Sequence, residues 1–154
     1  MNKREVMIMN RKDWEFRKHK YRGVRTMIGI YRDPPGVMSG RNPAMYIDDE
    51  TTTGYFTAYV EMPDFMPFDD AMYPAMRHYY NGGYTYFKVN EDGSTSAMRM
   101  FPDGTKAKEG RYVAGWDYNH MWDMEQGGHD IRDVESDIER FVDAMNEGEG
   151  EENE

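Results

Sequence analysis

The chain has no cysteine and no leucine in its 154 residues. Without cysteine it can form no disulfide, no thiolate nucleophile and no Cys-based zinc site. Without leucine the interior must be built from other apolar side chains, and the sequence supplies 15 Met and 12 Tyr. Met fills irregular space with a flexible thioether, and Tyr with a ring that ends in a hydroxyl. An adaptable core with aromatic patches near the surface is therefore expected. Long hydrophobic runs are missing as well, since none approaches the roughly 20 residues needed to span a bilayer. The opening Met1-Asn2-Lys3-Arg4-Glu5 leads into a mixed charged segment rather than the apolar stretch of a secretory signal. These features make the cytoplasm the expected location and give no reason to expect a membrane partner.

What is present suits one globular domain: 38% of residues are hydrophobic and 31% charged, lean but sufficient for a single core. The net charge of −10 is unevenly spread. Residues 1–41 hold 11 Lys/Arg against 4 Asp/Glu, and the remainder holds 8 against 25. A basic first quarter and an acidic remainder either lie against each other in the fold or face different partners.

The pattern predicts an α+β fold, with an antiparallel sheet of four to five strands packed against one long C-terminal helix. Val6 to Met9 is a short apolar run that fits an edge strand or a helix start. Val24 to Tyr31 is β-prone, with turn residues at Asp33-Pro34-Pro35-Gly36. Residues 37–53 read as a long loop, which places 1–53 in the same domain as a basic segment with its own strand or strands. Gly54 to Glu61 alternates as a half-buried strand does, and Met62-Pro63-Asp64 is expected to stop it. Residues 64–76 read as a loop with one short helical turn at 69–73. Tyr84 to Val89 and Thr95 to Phe101 are paired strands around the turn at Asn90-Glu91-Asp92-Gly93. Pro102-Asp103-Gly104 is another turn, and Arg111 to Trp116 the last strand. Ile131, Val134, Ile138, Phe141, Val142 and Met145 form one apolar face of a helix capped by Asp130. Gly148 is placed to end that helix, closing a core at 54–146 and leaving 147–154 as a disordered acidic tail.

Three segments in order, then the helix, carry a resemblance. They are Gly54-Tyr55-Phe56-Thr57-Ala58-Tyr59-Val60-Glu61-Met62-Pro63, Tyr80-Asn81-Gly82-Gly83-Tyr84-Thr85-Tyr86 and Gly115-Trp116-Asp117-Tyr118-Asn119-His120-Met121-Trp122-Asp123. Together they resemble a family of small uncharacterised phage and prophage proteins with G-Y-x-x-Y-V-x-x-P, H-G-G-[LI]-T-Y and G-[FW]-D-x-x-H-x-x-D segments. The match spans about residues 54–146, and Asn81 stands where the family has His. The resemblance implies no reaction. It implies a phage-type accessory protein, a class that often neutralises host defences.

Several constellations can carry chemistry. Asp117, His120 and Asp123 stand at i, i+3 and i+6, so on a helical turn they would share one side and suit a divalent metal or acid–base work. A metal would need His78 or His129 to join them, and no metal or cofactor is assigned. The other reading has Asp117 and His120 satisfying backbone groups where a strand ends. Gly82-Gly83 would let a backbone approach phosphates, and Tyr84, Tyr86, Trp116 and Trp122 would stack on a nucleobase. The competing reading of these aromatics is core. Lys3, Arg4, Arg11, Lys12, Arg17, Lys18, Lys20, Arg22 and Arg25, with Trp14 and Tyr21, have the composition of a nucleic-acid surface, and the net charge of −10 weighs against it.

The acidic helix offers Asp133, Asp137, Glu139, Asp143 and Glu147 to a basic partner. The leading expectation is a non-enzymatic inhibitor of a host protein, with a basic nucleic-acid-binding or nucleotide-signalling component as its target. The alternatives are a small-ligand binder or hydrolase at Asp117, His120 and Asp123, and a virion structural or assembly protein.

Overall fold

The computed structural model describes residues 14–33, 45–46, 53–66, 86–118 and 130–153. Its strands are β1 (Trp14–Tyr21), β2 (Val24–Arg32), β3 (Met45–Tyr46), β4 (Thr53–Pro63), β5 (Phe87–Val89), β6 (Thr95–Ala97) and β7 (Arg111–Asp117), followed by helix α1 (Ile131–Asn153). The expected α+β architecture is present. β1, β2 and β4 lie side by side, and the far edge of β4 is shared by the short β3 and by β7. β5 and β6 form a separate two-stranded hairpin, and every pairing is antiparallel. The apolar run at 6–9, the Pro34-Pro35-Gly36 turn, most of the 37–53 loop and the turn at 69–73 lie outside the described residues.

β2 is nearly continuous in apolar residues because both of its faces are covered. β4 alternates. Phe56, Ala58, Val60 and Met62 point into the layer under α1, and Tyr59 points to the opposite, outer face with Met27, Phe101 and Val113. The strand stops within Met62-Pro63-Asp64, as expected. Pro63 pairs with Arg111 as the last residue of β4, a terminal position where a missing N–H costs little.

β1 is the element that the hydrophobic pattern does not announce. Arg17, Lys18, His19 and Lys20 are all exposed, since an edge strand can carry charge on both faces and gains protection from edge-to-edge pairing by doing so. It turns into β2 through Arg22-Gly23, both left-handed at φ 50° and 80°. That is the geometry a two-residue hairpin turn needs.

Helix α1 begins with a reciprocal cap. Asp130 Oδ1 accepts the N–H groups of Arg132 (2.8 Å) and Asp133 (3.1 Å), and Asp133 Oδ2 accepts the N–H of Asp130 (3.0 Å). Val134, Ile138, Phe141, Val142 and Met145 are buried against the sheet, with the Phe141 ring 5.1 Å from that of Trp116. Gly148 does not end the helix, which continues to Asn153. A glycine stops a helix only where the chain turns away. Within the helix it costs about 1 kcal/mol relative to Ala, and the glutamates around it are good helix formers. The segment from 147 to 153, expected to be disordered, is thus helical.

The Leu-free core relies on tyrosines, three of which spend their hydroxyls on hydrogen bonds within the fold. Tyr112 donates to the Met66 carbonyl (2.7 Å) and Tyr86 to the Met100 carbonyl (2.7 Å). Between sheet and helix a buried polar chain runs from Trp116 Nε1–H to Tyr118 Oη (3.1 Å), and from Tyr118 O–H to Asp137 Oδ2 (2.9 Å). Replacing Tyr118 by Phe removes a donor from a fully buried carboxylate. The expected loss is about 1–3 kcal/mol of unfolding free energy, measured by urea denaturation. Glu139→Gln, two residues along the helix from Asp137 but exposed, should change stability by less than about 0.5 kcal/mol.

Candidate functional site

The structure sorts the expected site residues sharply. Asp117 is the last residue of β7, opposite Thr57 in extended backbone, so it does not begin a helical turn. His120, Asp123, His78, His129, Gly82, Gly83, Tyr84 and Trp122 lie outside the described residues. Among the described residues no group of three His, Asp or Glu is placed to hold a metal ion. Trp116 faces α1 and is only 1% exposed, so it belongs to the core and presents no stacking surface. Tyr86 is half-buried, edge-on to Tyr59 at 4.9 Å, with its hydroxyl committed to Met100. It too packs the fold.

Asp117 does stand beside an aromatic cluster. Register places Trp14, Tyr31 and Tyr55 in one row across β1, β2 and β4 on the outer face. Trp14 stacks on Phe16 (5.7 Å) and meets Tyr31 (5.2 Å) and Tyr55 (5.8 Å), and Tyr31 meets Tyr55 at 5.2 Å. Gly29 makes this possible: a Cβ there would run into Thr57 Oγ1 and crowd the Phe16 and Trp14 rings. Burial, then the nearby Asp117 carboxylate, push the Tyr55 hydroxyl up to about 12.

The acidic helix face is smaller than its sequence suggests. Asp137 is fully buried, so it is not available to a partner: it sits on the apolar side of α1, where its Oδ2 accepts the Tyr118 O–H. Asp133 closes the helix cap. Asp143 accepts Tyr21 O–H (3.1 Å) and Arg22 Nη1–H (2.8 Å), fastening the helix to the β1–β2 turn. Of the five expected residues, Glu139 and Glu147 remain exposed, with Glu135 beside them. The basic first quarter and the acidic remainder do meet. Arg22 pairs with Asp143, Arg25 with Glu61 and Lys18 with Asp103 (3.3 Å).

The surface feature that sequence reasoning missed is apolar. Phe65 (59%), Phe87 (39%) and Val89 (65%) are the large hydrophobic side chains left exposed among the described residues. Phe87 and Val89 lie on one face of β5, opposite Ala97 and Thr95 of β6. Their hairpin is held firmly. Gly93 takes φ 86°, Asp92 Oδ1 accepts both the N–H (2.9 Å) and the hydroxyl (2.6 Å) of Ser94, and Asn90 Nδ2 donates to Ser94 Oγ and Ser96 Oγ. The two Ser94 bonds hold the Asp92 carboxyl below its usual range. Arg99, just beyond β6, pairs with Asp64, and so ties the hairpin's base to the turn that carries Phe65. The alternation Phe87-Lys88-Val89 was legible, but it is the exposure of Phe87 and Val89 in the fold that makes it a surface.

No family model, curated protein or solved structure matches the chain. Among the described residues no helix is long and apolar enough to cross a membrane.

The placement of Asp117 can be checked by titration. Its negative charge opposes tyrosinate formation, so Asp117→Asn should move Tyr55 down toward the ordinary tyrosine value of about 10. Site-resolved NMR of Tyr55 across alkaline pH would show an unchanged midpoint if the two groups were apart.

Proposed function

We propose that this chain is a non-catalytic accessory protein that binds and blocks a protein of a bacterial host cell, acting in that cell's cytoplasm. The observation that carries this reading is the exposure of Phe65, Phe87 and Val89 on two adjoining elements. Phe87 and Val89 share one face of β5; exposed apolar side chains grouped in this way mark contact sites, and a hairpin already ordered by its own hydrogen bonds loses little entropy on docking. The exposed Glu135, Glu139 and Glu147 on α1 add an electrostatic preference for a basic partner. The resemblance to small phage and prophage proteins supports a target among host components, with defence factors first among them.

The test is affinity capture from a bacterial host lysate at physiological salt, comparing the wild type with Phe87→Ser/Val89→Ser. The wild type should recover a stable partner and the hairpin variant at least ten-fold less of it. The variant's thermal unfolding should stay close to that of the wild type, because both side chains are exposed. Recovery of the same partner by both proteins in equal amount would overturn the reading. A second variant, Glu139→Lys/Glu147→Lys, should leave contact formation possible but reduce its salt dependence.

A further inference from the structure

β1 lies at one end of the main sheet, and among the described residues it pairs with β2 alone. Which backbone groups its other edge presents follows from the turn. Arg22-Gly23 is a two-residue hairpin turn, so Tyr21 and Val24 form the hydrogen-bonded pair that closes it. Along an antiparallel ladder, hydrogen-bonded and non-hydrogen-bonded pairs alternate. Glu15, Arg17, His19 and Tyr21 therefore direct their N–H and C=O groups at β2, and Trp14, Phe16, Lys18 and Lys20 direct theirs away from it. No bulge interrupts the register from Trp14–Tyr31 to Tyr21–Val24, so this outward row keeps an even spacing.

The side chains of the same four residues share the outer face. Trp14 and Phe16 are half-buried and stack with centroids 5.7 Å apart, nearly parallel at 6°. Lys18 and Lys20 follow them and are exposed. Lys18 meets Asp103 at 3.3 Å, but its own side chain is 64% exposed, and solvent screens such a contact and lets it exchange. Lys20 stands directly opposite Arg25, whose guanidinium is committed to Glu61. Like charges set opposite each other in a ladder are unfavourable, so this end of the edge favours an added negative charge.

We infer that the outward edge of β1 receives an extended acidic segment of another protein, added to the sheet as a further strand. Main-chain hydrogen bonds to the outward row supply affinity, and alternate side chains supply selectivity. On the outer face the incoming strand sets carboxylates against Lys20 and Lys18 and apolar side chains against Phe16 and Trp14. The net charge of −10 opposes a second copy of this chain as the occupant. The edge belongs to β1 and not to the β5–β6 hairpin, so the inference does not rest on the host-protein contact proposed at Phe87 and Val89.

The experiment uses the full chain and the peptide acetyl-Glu-Thr-Glu-Thr-Val-Thr-Tyr-amide, whose alternate side chains meet Lys20, Lys18, Phe16 and Trp14 in antiparallel register. In the free protein, hydrogen exchange followed by ¹H–¹⁵N NMR should be fast at the amides of Phe16, Lys18 and Lys20 and slow at those of Arg17 and His19. Titration with the peptide at constant ionic strength should shift the three fast amides along a saturating curve and slow their exchange. A peptide with both Glu replaced by Lys should bind at least ten-fold more weakly. Lys18→Glu/Lys20→Glu should reverse that preference, and slow exchange at Arg17 and His19 in the variant reports an intact hairpin. Lys88→Glu, on β5, should bind the acidic peptide as the wild type does. Slow exchange at Phe16, Lys18 and Lys20 in the free protein would overturn the proposal, because the edge would already be filled by another part of the chain or by a second copy. Equal affinity for the two peptides, an unreversed preference in the folded double variant, or saturating shifts confined to the β5–β6 hairpin would overturn it as well.

Discussion

The Glu61 carboxylate is the constraint on which most of this molecule's arrangement depends. It sits on the outer face of β4, only 4% exposed, and a carboxylate in that position is tolerated only if its charge and lone pairs are satisfied. Burial pulls its carboxyl group up, but hydrogen bonds from the Arg25 guanidinium and the Lys108 N–H outweigh that and leave it below the usual range. Arg25 reaches further, donating to the Lys106 carbonyl (3.0 Å) and lying 5.7 Å from the centre of the Phe101 ring. One buried charge thereby fixes the segment that covers the outer face, and with it the base of the β5–β6 hairpin. Because the native carboxyl is depressed, this stabilisation is complete above the unfolded value of about 4.5 and fades as pH falls through the lower native one.

The two faces of the sheet are therefore closed by different physics. The inner face is sealed by apolar contact, with Val134, Ile138, Phe141, Val142 and Met145 on one side and Ile28, Ile30, Val60 and Trp116 on the other. The outer face has a small apolar cluster around Met27, Tyr59, Phe101 and Val113, and ion pairs hold its cover down. This division leaves the hairpin outside the core altogether, which is why Phe87 and Val89 stay exposed.

Much of the fold was legible because the relevant signals are local. The period of α1, the alternation of β4, the turns at 90–93 and 102–104 and the cap at Asp130 all lie within short windows. β1 was not legible from hydrophobicity because an edge strand buries little. Its one clear signal was Arg22-Gly23, a two-residue turn between strands. The contact surface was less legible still. Asp137, Asp143 and Glu139 look equivalent in an acidic helix, and only packing against Tyr118 and Arg22 separates a buried acid, a fastened one and an exposed one. Likewise Trp116 and Phe87 are both aromatic strand residues, and only the topology puts the first inside and the second outside. For the small-ligand reading, Asp117 is held in a β-ladder opposite Thr57, and His120 and Asp123 lie outside the described residues.

The most direct test of this account is a double-mutant cycle on Arg25 and Glu61, using Arg25→Gln, Glu61→Gln and the pair, with unfolding free energies from urea denaturation. The account predicts that each single substitution costs about 3–5 kcal/mol and that the double substitution costs far less than their sum, leaving a coupling of at least about 1.5 kcal/mol. Additive effects, with a coupling near zero, would contradict it, because the cover over the outer face would then be held by something other than this buried pair.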